Sequence, residues 1–453
     1  MKTKALILAA GKGTRMNSDK PKVLHPLLGK EMIRYVLRAV SFQTEDKPVV
    51  LVGHGGHQIQ EVLGEEVDYV WQHEQWGTGH ALIVSKDAWK DSDTVLVVCG
   101  DTPLIQPDTI EALVKDHQQH QRAATVLSVI MDHPGGYGRI IKDETGQVTG
   151  IVEDRDASVE QQSICEINSG MYCFQTVPLL QMLDRLKPQN VQGEYYLTDV
   201  ISLLHKDRQT VGTYLADDSG EMAGINDRVQ LAQASADLQK RINEYWMKKG
   251  VTMINPSCTY IGVDVILSKD VEIWPGSILE GETRVGEGTI IGPNCHLKDA
   301  HIGTSCHLDT TIMLDSSMKN DCTIGPFAYI RPGSSLGDRV KIGDFVEIKN
   351  TQVDEGSKLP HHSYVGDAHV GKGVNIGAGT ITCNYDGTHK YQTTIEDGVF
   401  VGSNSNLVAP IHLGKRCYIA AGSTVTEDVP EEALAVARGR QKNLPGWRTK
   451  KGR

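Results

Sequence analysis

The sequence predicts two folded parts of different class: an α/β part with a mainly parallel sheet, then a parallel β-helix of hexapeptide repeats. Three observations predict it. Through residues 1–226, short apolar runs alternate with amphipathic stretches of helical spacing, the pattern of strands joined by crossover helices. Beyond residue 250 helical periodicity vanishes and an aliphatic residue returns every six positions, a period that marks a β-helix. Between them, "DRVQLAQASADLQKRINEYWMKKG" (227–250) has helical composition and closes on Gly250, a suitable C-cap. The expected division is 1–226, a linker helix over 227–250, and 251–453.

Composition sets bounds on both parts. A chain of 453 residues exceeds one ordinary core. No apolar run approaches the ~18 residues a membrane span needs. The opening "MKTKALILAAGKG" has an apolar stretch of only six residues before Lys12 and Arg15, short of a secretory core, so a cytoplasmic chain is expected. Nine cysteines include no Cys-x-x-Cys pair, which argues against a zinc site or a disulfide framework and for a reducing compartment. The net charge of −11 argues against bulk binding to nucleic acid or anionic membrane. One local exception is the tail "RGRQKNLPGWRTKKGR", with seven Lys/Arg and no acid. It is either a solvated tail or a means of capturing a phosphorylated ligand.

In the first part, candidate strands are "ALILAA", "VVLVGH" (49–54), "TVLVVCGD" (94–101), "ATVLSVIM" (124–131) and "GMYCF" (170–174). Helical patterns such as "IRYVLRAV" and "GHALIVSKDAWK" (79–90) lie between them. Ligands of such sheets gather at the carboxyl ends of the strands. In the second part the six-residue spacing runs through Ile324, Ile330, Leu336, Ile342 and Ile348, and again through Ile395, Val401, Leu407, Leu413, Ile419 and Val425. The phase slips by one residue between such runs, as from Ile348 to Val353, and is loosest over 255–320. The aliphatic residue is expected to point inward. A glycine often follows it (Gly325, Gly337, Gly343, Gly377, Gly402, Gly414), read as relief of a strained corner. Small residues often stand four after it, and Cys295, Cys306 and Cys417 occupy that packing slot. The excursion "ITCNYDGTHKYQTT" (381–394) interrupts the repeat. A pure scaffold gives no reason for such a break, and loops often carry sites.

The stretch "ILAAGKGTRM" suggests a phosphate loop, but Leu6 stands where a Walker loop needs its first glycine. Met16 stands where a Gly-x-Gly-x-x-Gly loop needs its last. What remains is a flexible turn after a strand, carrying Lys12 and Arg15, with Lys22 following in "KPKVLH". Its backbone N–H groups can cradle phosphate oxygens, and Arg15 and Lys22 can hold the charge of departing pyrophosphate. Asp101 ends an apolar strand in "VLVVCGDTPL", where it serves either as a turn residue or as a hard-cation ligand.

"LAAGKGTRM…KPKVLH" resembles the signature of sugar-phosphate nucleotidyltransferases. The chain as a whole resembles the bifunctional N-acetylglucosamine-1-phosphate uridylyltransferase/glucosamine-1-phosphate acetyltransferase family. The resemblance implies a Rossmann-like nucleotidyltransferase domain, a left-handed β-helix, and trimers formed through that β-helix. It implies Mg²⁺ held by Asp101 and Asn226, with Arg15 and Lys22 as catalytic groups. It places UTP and its product against Leu8, Ala9, Ala10, Gly11, Lys22, Gln72, Gly77, Thr78 and Gly100, and the acetamido sugar against Gly138, Glu153 and Asn168.

For acetyl transfer, "KLPHHSYVGDAHVG" offers His361 and His362. In extended backbone their side chains face opposite ways, so at most one serves a given cleft. The family pattern His-x-x-Tyr fits His361 with Tyr364 and makes His361 the base. The resemblance assigns Arg331 and Lys349 to the phosphate of glucosamine-1-phosphate, and Tyr364 and Asn375 to its ring. Acetyl-CoA falls to Ala378, Asn384, Tyr385, Ser403, Ala421 and Arg438, with Lys390 nearby. The product, UDP-N-acetylglucosamine, would feed cell-envelope polymers such as peptidoglycan and lipopolysaccharide. Two other readings stand beside this one. One is a different sugar nucleotidyltransferase whose β-helix only oligomerises or regulates; the other is a non-catalytic regulatory subunit. The first leaves Arg331, Lys349, His361 and the excursion without purpose; the second does the same for Arg15, Lys22 and Asp101.

Overall fold

A computed structural model describes residues 2–41 and 46–450; Lys451, Gly452 and Arg453 of the basic tail lie outside them. The chain packs as two compact units, 1–238 and 239–453.

The first unit is built on a sheet ordered 211–215, 124–130, 166–175, 94–99, 3–9, 49–52, 68–71. All neighbours along it run parallel except Glu166–Gln175, which is antiparallel to both of its partners. The two central strands, Thr3–Ala9 and Thr94–Cys99, are almost wholly apolar and almost wholly buried, as a sheet covered on both faces requires. Their carboxyl ends open into the loops at 10–13 and 100–104. The helix expected over 79–90 stops at Ser85 and tightens into a 3₁₀ turn, Lys86–Ala88. Trp89 is the reason. The tighter turn carries its ring into the core, where its indole N–H donates to Ser85 Oγ at 3.1 Å.

The second unit is a parallel β-helix. Each coil contributes a strand to one 11-stranded sheet and then to two columns of a 17-stranded sheet, and every ladder is parallel. Ile342, Ile348, Val353, Leu359, Val365 and Val370 stack on one another in a continuous aliphatic core. Cys295, Cys306 and Cys417 are buried packing residues of this core.

The corner explanation given to the glycines needs correction. Of the six that follow the aliphatic residue, only Gly325 has positive φ. The others stand where the next coil passes too closely for a side chain. A Cβ on Gly402 would lie 2.5 Å from the backbone nitrogen of Ala421, and one on Gly414 2.6 Å from that of Glu431. The left-handed corner residue is often not glycine: Phe327, Arg339, Phe345, His362, Asn404 and Arg416 hold it, each three after an aliphatic residue. Where the phase slips, the left-handed residue comes two after, at Asp299, Asp315, Asn350 and Asp367. Most slips are thus shorter corners built on Asn or Asp, residues that tolerate this backbone; Thr310, two after Leu308, holds another.

Within the second unit, residues from Gln239 to Lys248 finish the helix Arg228–Lys248 and close the first coil. Gln239 Nε2 donates to the carbonyls of Pro256, Ser257 and Thr259, and Asn243 Nδ2 to those of Pro256 and Thr259.

Candidate active sites

In the first unit two cavities open at the carboxyl edge of the sheet and share Leu8, Thr78 and Cys99 as a common wall. The larger, of about 300 Å³, is lined by Leu8, Ala9, Ala10, Gly11, Lys22, Gln72, Gly77, Thr78 and Asp101, all expected from sequence, and by Gln75, Cys99 and Glu194, which were not. The smaller, of about 210 Å³, collects Gly138, Glu153 and Asn168 together with Tyr137, Ser169, Tyr172 and Thr198. Gly100 lies behind this wall, its N–H donating to the Leu8 carbonyl at 3.0 Å.

Lys22 is the pivot of the larger cavity. Its ammonium donates to Asp101 Oδ2 and, at 3.2 Å, to Asn226 Oδ1. Residues 79 and 204 positions away from Lys22 therefore aim oxygen atoms at one cation. Two hard oxygens with space beside them suit Mg²⁺, which takes one or two protein ligands and completes its shell with water and phosphate. Arg15 is exposed in the short turn Thr14–Met16 and lines neither cavity. That turn is held by Arg228, whose Nε donates to the Met16 carbonyl at 3.2 Å.

Burial tunes the common wall. The Cys99 thiol is pushed up to about 12 by burial, with the Asp101 charge adding to it, so it stands there as an un-ionised spacer. Burial also raises the Glu153 carboxyl, against a hydrogen bond donated by the Thr198 hydroxyl at 3.1 Å. Asn168 is fixed at both ends: its Nδ2 donates to the Tyr172 hydroxyl at 2.7 Å, and its Oδ1 accepts from Gly170 N–H at 3.0 Å.

In the second unit, His361 ends the strand Lys358–His361 and faces Asp344 one coil earlier, with Nδ1 2.6 Å from Oδ1. A carboxylate only accepts, so Nδ1 carries the proton, and in the neutral ring Nε2 is the nitrogen with the lone pair. The Asp344 carboxyl is held below its usual range chiefly by this bond. His362 is not extended: it takes the left-handed corner, φ 49°, with its ring 5.5 Å from Phe345. The expected opposite facing in a strand is therefore replaced by a strand-end residue followed by a corner residue.

Four of the residues expected at acetyl-CoA, Ala378, Ser403, Ala421 and Arg438, rise along that same corner, coil by coil, whereas Asn384 and Tyr385 do not. Gly379 N–H donates to His362 O, Asn404 N–H to Ala378 O, Gly422 N–H to Ser403 O, and Arg438 Nη1 to Ala421 O at 2.8 Å. Across the next face, at the following corner, stand Arg331, Lys349 and the excursion. Glu347 holds Arg331 at 2.7 Å, and Asp367 lies 3.9 Å from Lys349 Nζ and accepts from Asn384 Nδ2. Tyr385 pairs with Lys390 across the excursion in an antiparallel bridge. Tyr364 lies on the face between the two corners, beside Glu347 in register. Asn375 stands on the other sheet, in register with Lys358 and Phe400. Asp344, Glu347 and Asp367 were not read from sequence. Each sits 16 to 18 residues, one coil, from the group it holds, and that interval was the available signal.

Comparison with known proteins adds three matches within the chain. Residues 5–162 match the MobA-like NTP transferase domain. Residues 315–350 match the bacterial transferase hexapeptide (six repeats), and 392–427 the hexapeptide repeat of succinyl-transferase. Over 442 residues the chain is 50% identical to a protein of Heliobacterium modesticaldum named bifunctional protein GlmU, covering 97% of this chain and 96% of that one. Proteins of the same name from Syntrophomonas wolfei (48% identical, 98% and 99% covered) and Listeria monocytogenes serotype 4b (47%, 98% and 97%) are similar over nearly the whole length.

Proposed function

The chain belongs to the family of bifunctional GlmU proteins, and from that premise we propose a residue-level account of its two transfers. It is a glucosamine-1-phosphate N-acetyltransferase and an N-acetylglucosamine-1-phosphate uridylyltransferase. Together the two activities make UDP-N-acetylglucosamine from glucosamine-1-phosphate, acetyl-CoA and UTP, and we propose that cell-envelope polysaccharides, peptidoglycan among them, draw on the product. The observation that carries the assignment of chemistry is the convergence of Asp101 and Asn226 on Lys22 at the larger cavity. Activated co-substrates such as acetyl-CoA and UTP fit a cytoplasmic setting. Among the described residues no helix is long and apolar enough to cross a membrane.

In uridylyl transfer the phosphate oxygen of the sugar phosphate attacks the α-phosphorus of UTP, the α–β phosphoanhydride bond breaks, and pyrophosphate leaves with the electron pair. The cavity holding Leu8 to Gly11, Gln72 and Gly77 takes the nucleoside, and the adjoining one with Gly138, Glu153 and Asn168 takes the acetamido sugar. Their shared wall sets the two phosphates against each other, and positioning of this kind is the main protein contribution to such transfers. Lys22 neutralises charge gathering on the phosphates, and Arg15, free to swing from its exposed turn, meets the leaving pyrophosphate. Asp101 and Asn226 would hold Mg²⁺, which when bound offsets the triphosphate charge.

In acetyl transfer the amine attacks the thioester carbonyl while His361 Nε2 takes its proton. The C–S bond then breaks, and the thiolate leaves and is reprotonated. Asp344 keeps His361 in the tautomer this needs. The ledge through Ala378, Ser403, Ala421 and Arg438 takes the coenzyme, and Arg331 and Lys349 the sugar phosphate. We propose a homotrimer in which these sites are completed between copies. Two features support it: Asn375 and Lys349 stand on different sheets of one coil stack, and the stacked Phe327 and Phe345 beside the His362 ring remain over half exposed.

The test is a crossed pair of variants. Asp101→Ala is expected to abolish pyrophosphate release from UTP while acetyl-CoA consumption persists, and His361→Ala to do the reverse. Loss of both activities in either folded variant would contradict the assignment of two independent sites.

A further inference from the structure

We propose, resting on the reading that the larger cavity takes the nucleoside and setting Gln72 against its uracil, that His80 sets the nucleobase preference of the uridylyl site by fixing which end of the Gln72 carboxamide faces the base. Gln72 is buried, lines the larger cavity, and follows directly on the strand Asp68–Trp71. Its Nε2 lies 3.2 Å from the Gly77 carbonyl oxygen and 3.1 Å from His80 Nδ1. A backbone carbonyl can only accept, so the end facing Gly77 is the NH₂ group. That group's second hydrogen then meets His80 Nδ1, which acts as acceptor with the ring proton on Nε2. Both donors of the carboxamide are engaged. Oε1 meets no protein donor among the described residues and is the end left for a ligand.

Set against position 3 of the base, where the 4-amino donor of cytosine does not reach it, a carboxamide that offers only an acceptor matches a pyrimidine with N–H there. Uracil has that N–H. Cytosine carries a lone pair there, and finds no hydrogen on Gln72 to receive it. If Nδ1 of residue 80 were lost, one buried N–H of Gln72 would lack a partner, an unfavourable state. The amide could then turn that N–H toward the cavity, where the cytosine lone pair accepts it. Discrimination would fall.

The surroundings hold the three partners in place. Gly77 has φ 102°, and a Cβ on it would stand 2.6 Å from the Tyr195 carbonyl. That carbonyl accepts from Gly79 N–H at 2.8 Å, while Tyr195 N–H donates to the Trp76 carbonyl at 2.7 Å. The His80 ring lies near those of Trp76 and Tyr195, with centroids 5.1 and 6.3 Å away. His80 does not line the cavity, so it acts through Gln72 as a positioning residue.

Two substitutions separate the acceptor from the ring. His80→Phe keeps the ring and removes the acceptor. His80→Asn removes the ring but sets an amide oxygen at the same side-chain position as Nδ1. Initial rates of pyrophosphate release would be measured with UTP and with CTP, and acetyl transfer would serve as the folding control. His80→Phe is expected to lower the UTP-to-CTP ratio of kcat/KM about tenfold, through a raised KM for UTP with kcat nearly unchanged, while His80→Asn retains most of the ratio. An unchanged ratio in His80→Phe overturns the proposal, and so does an equal fall in both variants, which would assign the effect to ring packing. Should His80→Phe fail to fold, a fall in His80→Asn alone overturns it. Gln72→Ala isolates the underlying reading: if its KM for UTP is unaltered, the uracil contact itself is wrong, whatever the His80 variants do.

Discussion

His361 and His362 differ in backbone before they differ in chemistry. Leu359 points into the core, so His361, two residues on, is the last strand position, and His362, three on, takes the left-handed corner. Only His361 meets a carboxylate. A base oriented in this way should depend on Asp344 through tautomer and aim, not through binding of substrate. His361→Ala is therefore expected to lower kcat for acetyl transfer by about 10²–10⁴-fold with a modest change in KM. Asp344→Asn should lower it by roughly 10–100-fold, also in kcat, because an amide can present either a donor or an acceptor to Nδ1. His362→Ala should keep most of the activity. Asp344 stays ionised near neutral pH, its carboxyl being lowered by the His361 bond, so any acid limb in the acetyl-transfer profile belongs to another group. A dead His362→Ala beside an active His361→Ala would sink this reading. The residue types at both sites were legible because they match a known family, whereas the carboxylates that hold the acetyl-transfer groups were not. Asp344, Glu347 and Asp367 look in sequence like ordinary solvated acids, and their purpose appears only when coils stack in register.

At the scale of the coil, two kinds of glycine do different work. Gly373 has φ 64° and open space where a Cβ would go, so Gly373→Ala meets only the backbone penalty of about 1–2 kcal/mol. Gly414 lacks that positive φ, but its Cβ would stand 2.6 Å from the nitrogen of Glu431 in the next coil. Neither coil can yield there without breaking its ladder. Gly414→Ala should therefore lower thermal stability of the β-helix more than Gly373→Ala does, and the reverse order would refute the close-approach explanation. The inward aliphatic positions of the two regular runs, 324–348 and 395–425, were legible, since a period of six needs no knowledge of contacts; over 255–320 the phase was too loose to read. The one-residue phase slips were legible as spacing but not in cause, which lies in the left-handed corners at Asp299, Thr310, Asp315, Asn350 and Asp367. The overlong helix over 79–90 fell to a tertiary contact, the buried Trp89, that no local pattern announces.

For the molecule as a whole, the change of pattern near residue 250 and the change of packing near residue 238 are separated by half a helix. The difference has consequences because of what that half-helix covers. A stack of coils ends in an open cross-section, with carbonyls of its first turn pointing out along the axis. Gln239 and Asn243 are both buried and donate to the carbonyls of Pro256, Ser257 and Thr259, while Ile242 and Trp246 pack against the adjoining core. A fragment of residues 239–453 keeps this closure; one starting at Val251 loses it. Without the helix, the apolar surface that Ile242 and Trp246 cover is returned to water, at about 25 cal/mol per Å², and an open strand edge invites pairing between chains. The fragment 239–453 should thus acetylate glucosamine-1-phosphate in the absence of UTP and melt cooperatively. The fragment 251–453 should melt at lower temperature or associate, even though every residue assigned to acetyl transfer is present. Melting temperatures and light scattering of the two fragments, measured side by side, decide it. Equal melting with equal monodispersity would mean that the β-helix closes itself and that the helix only joins the units.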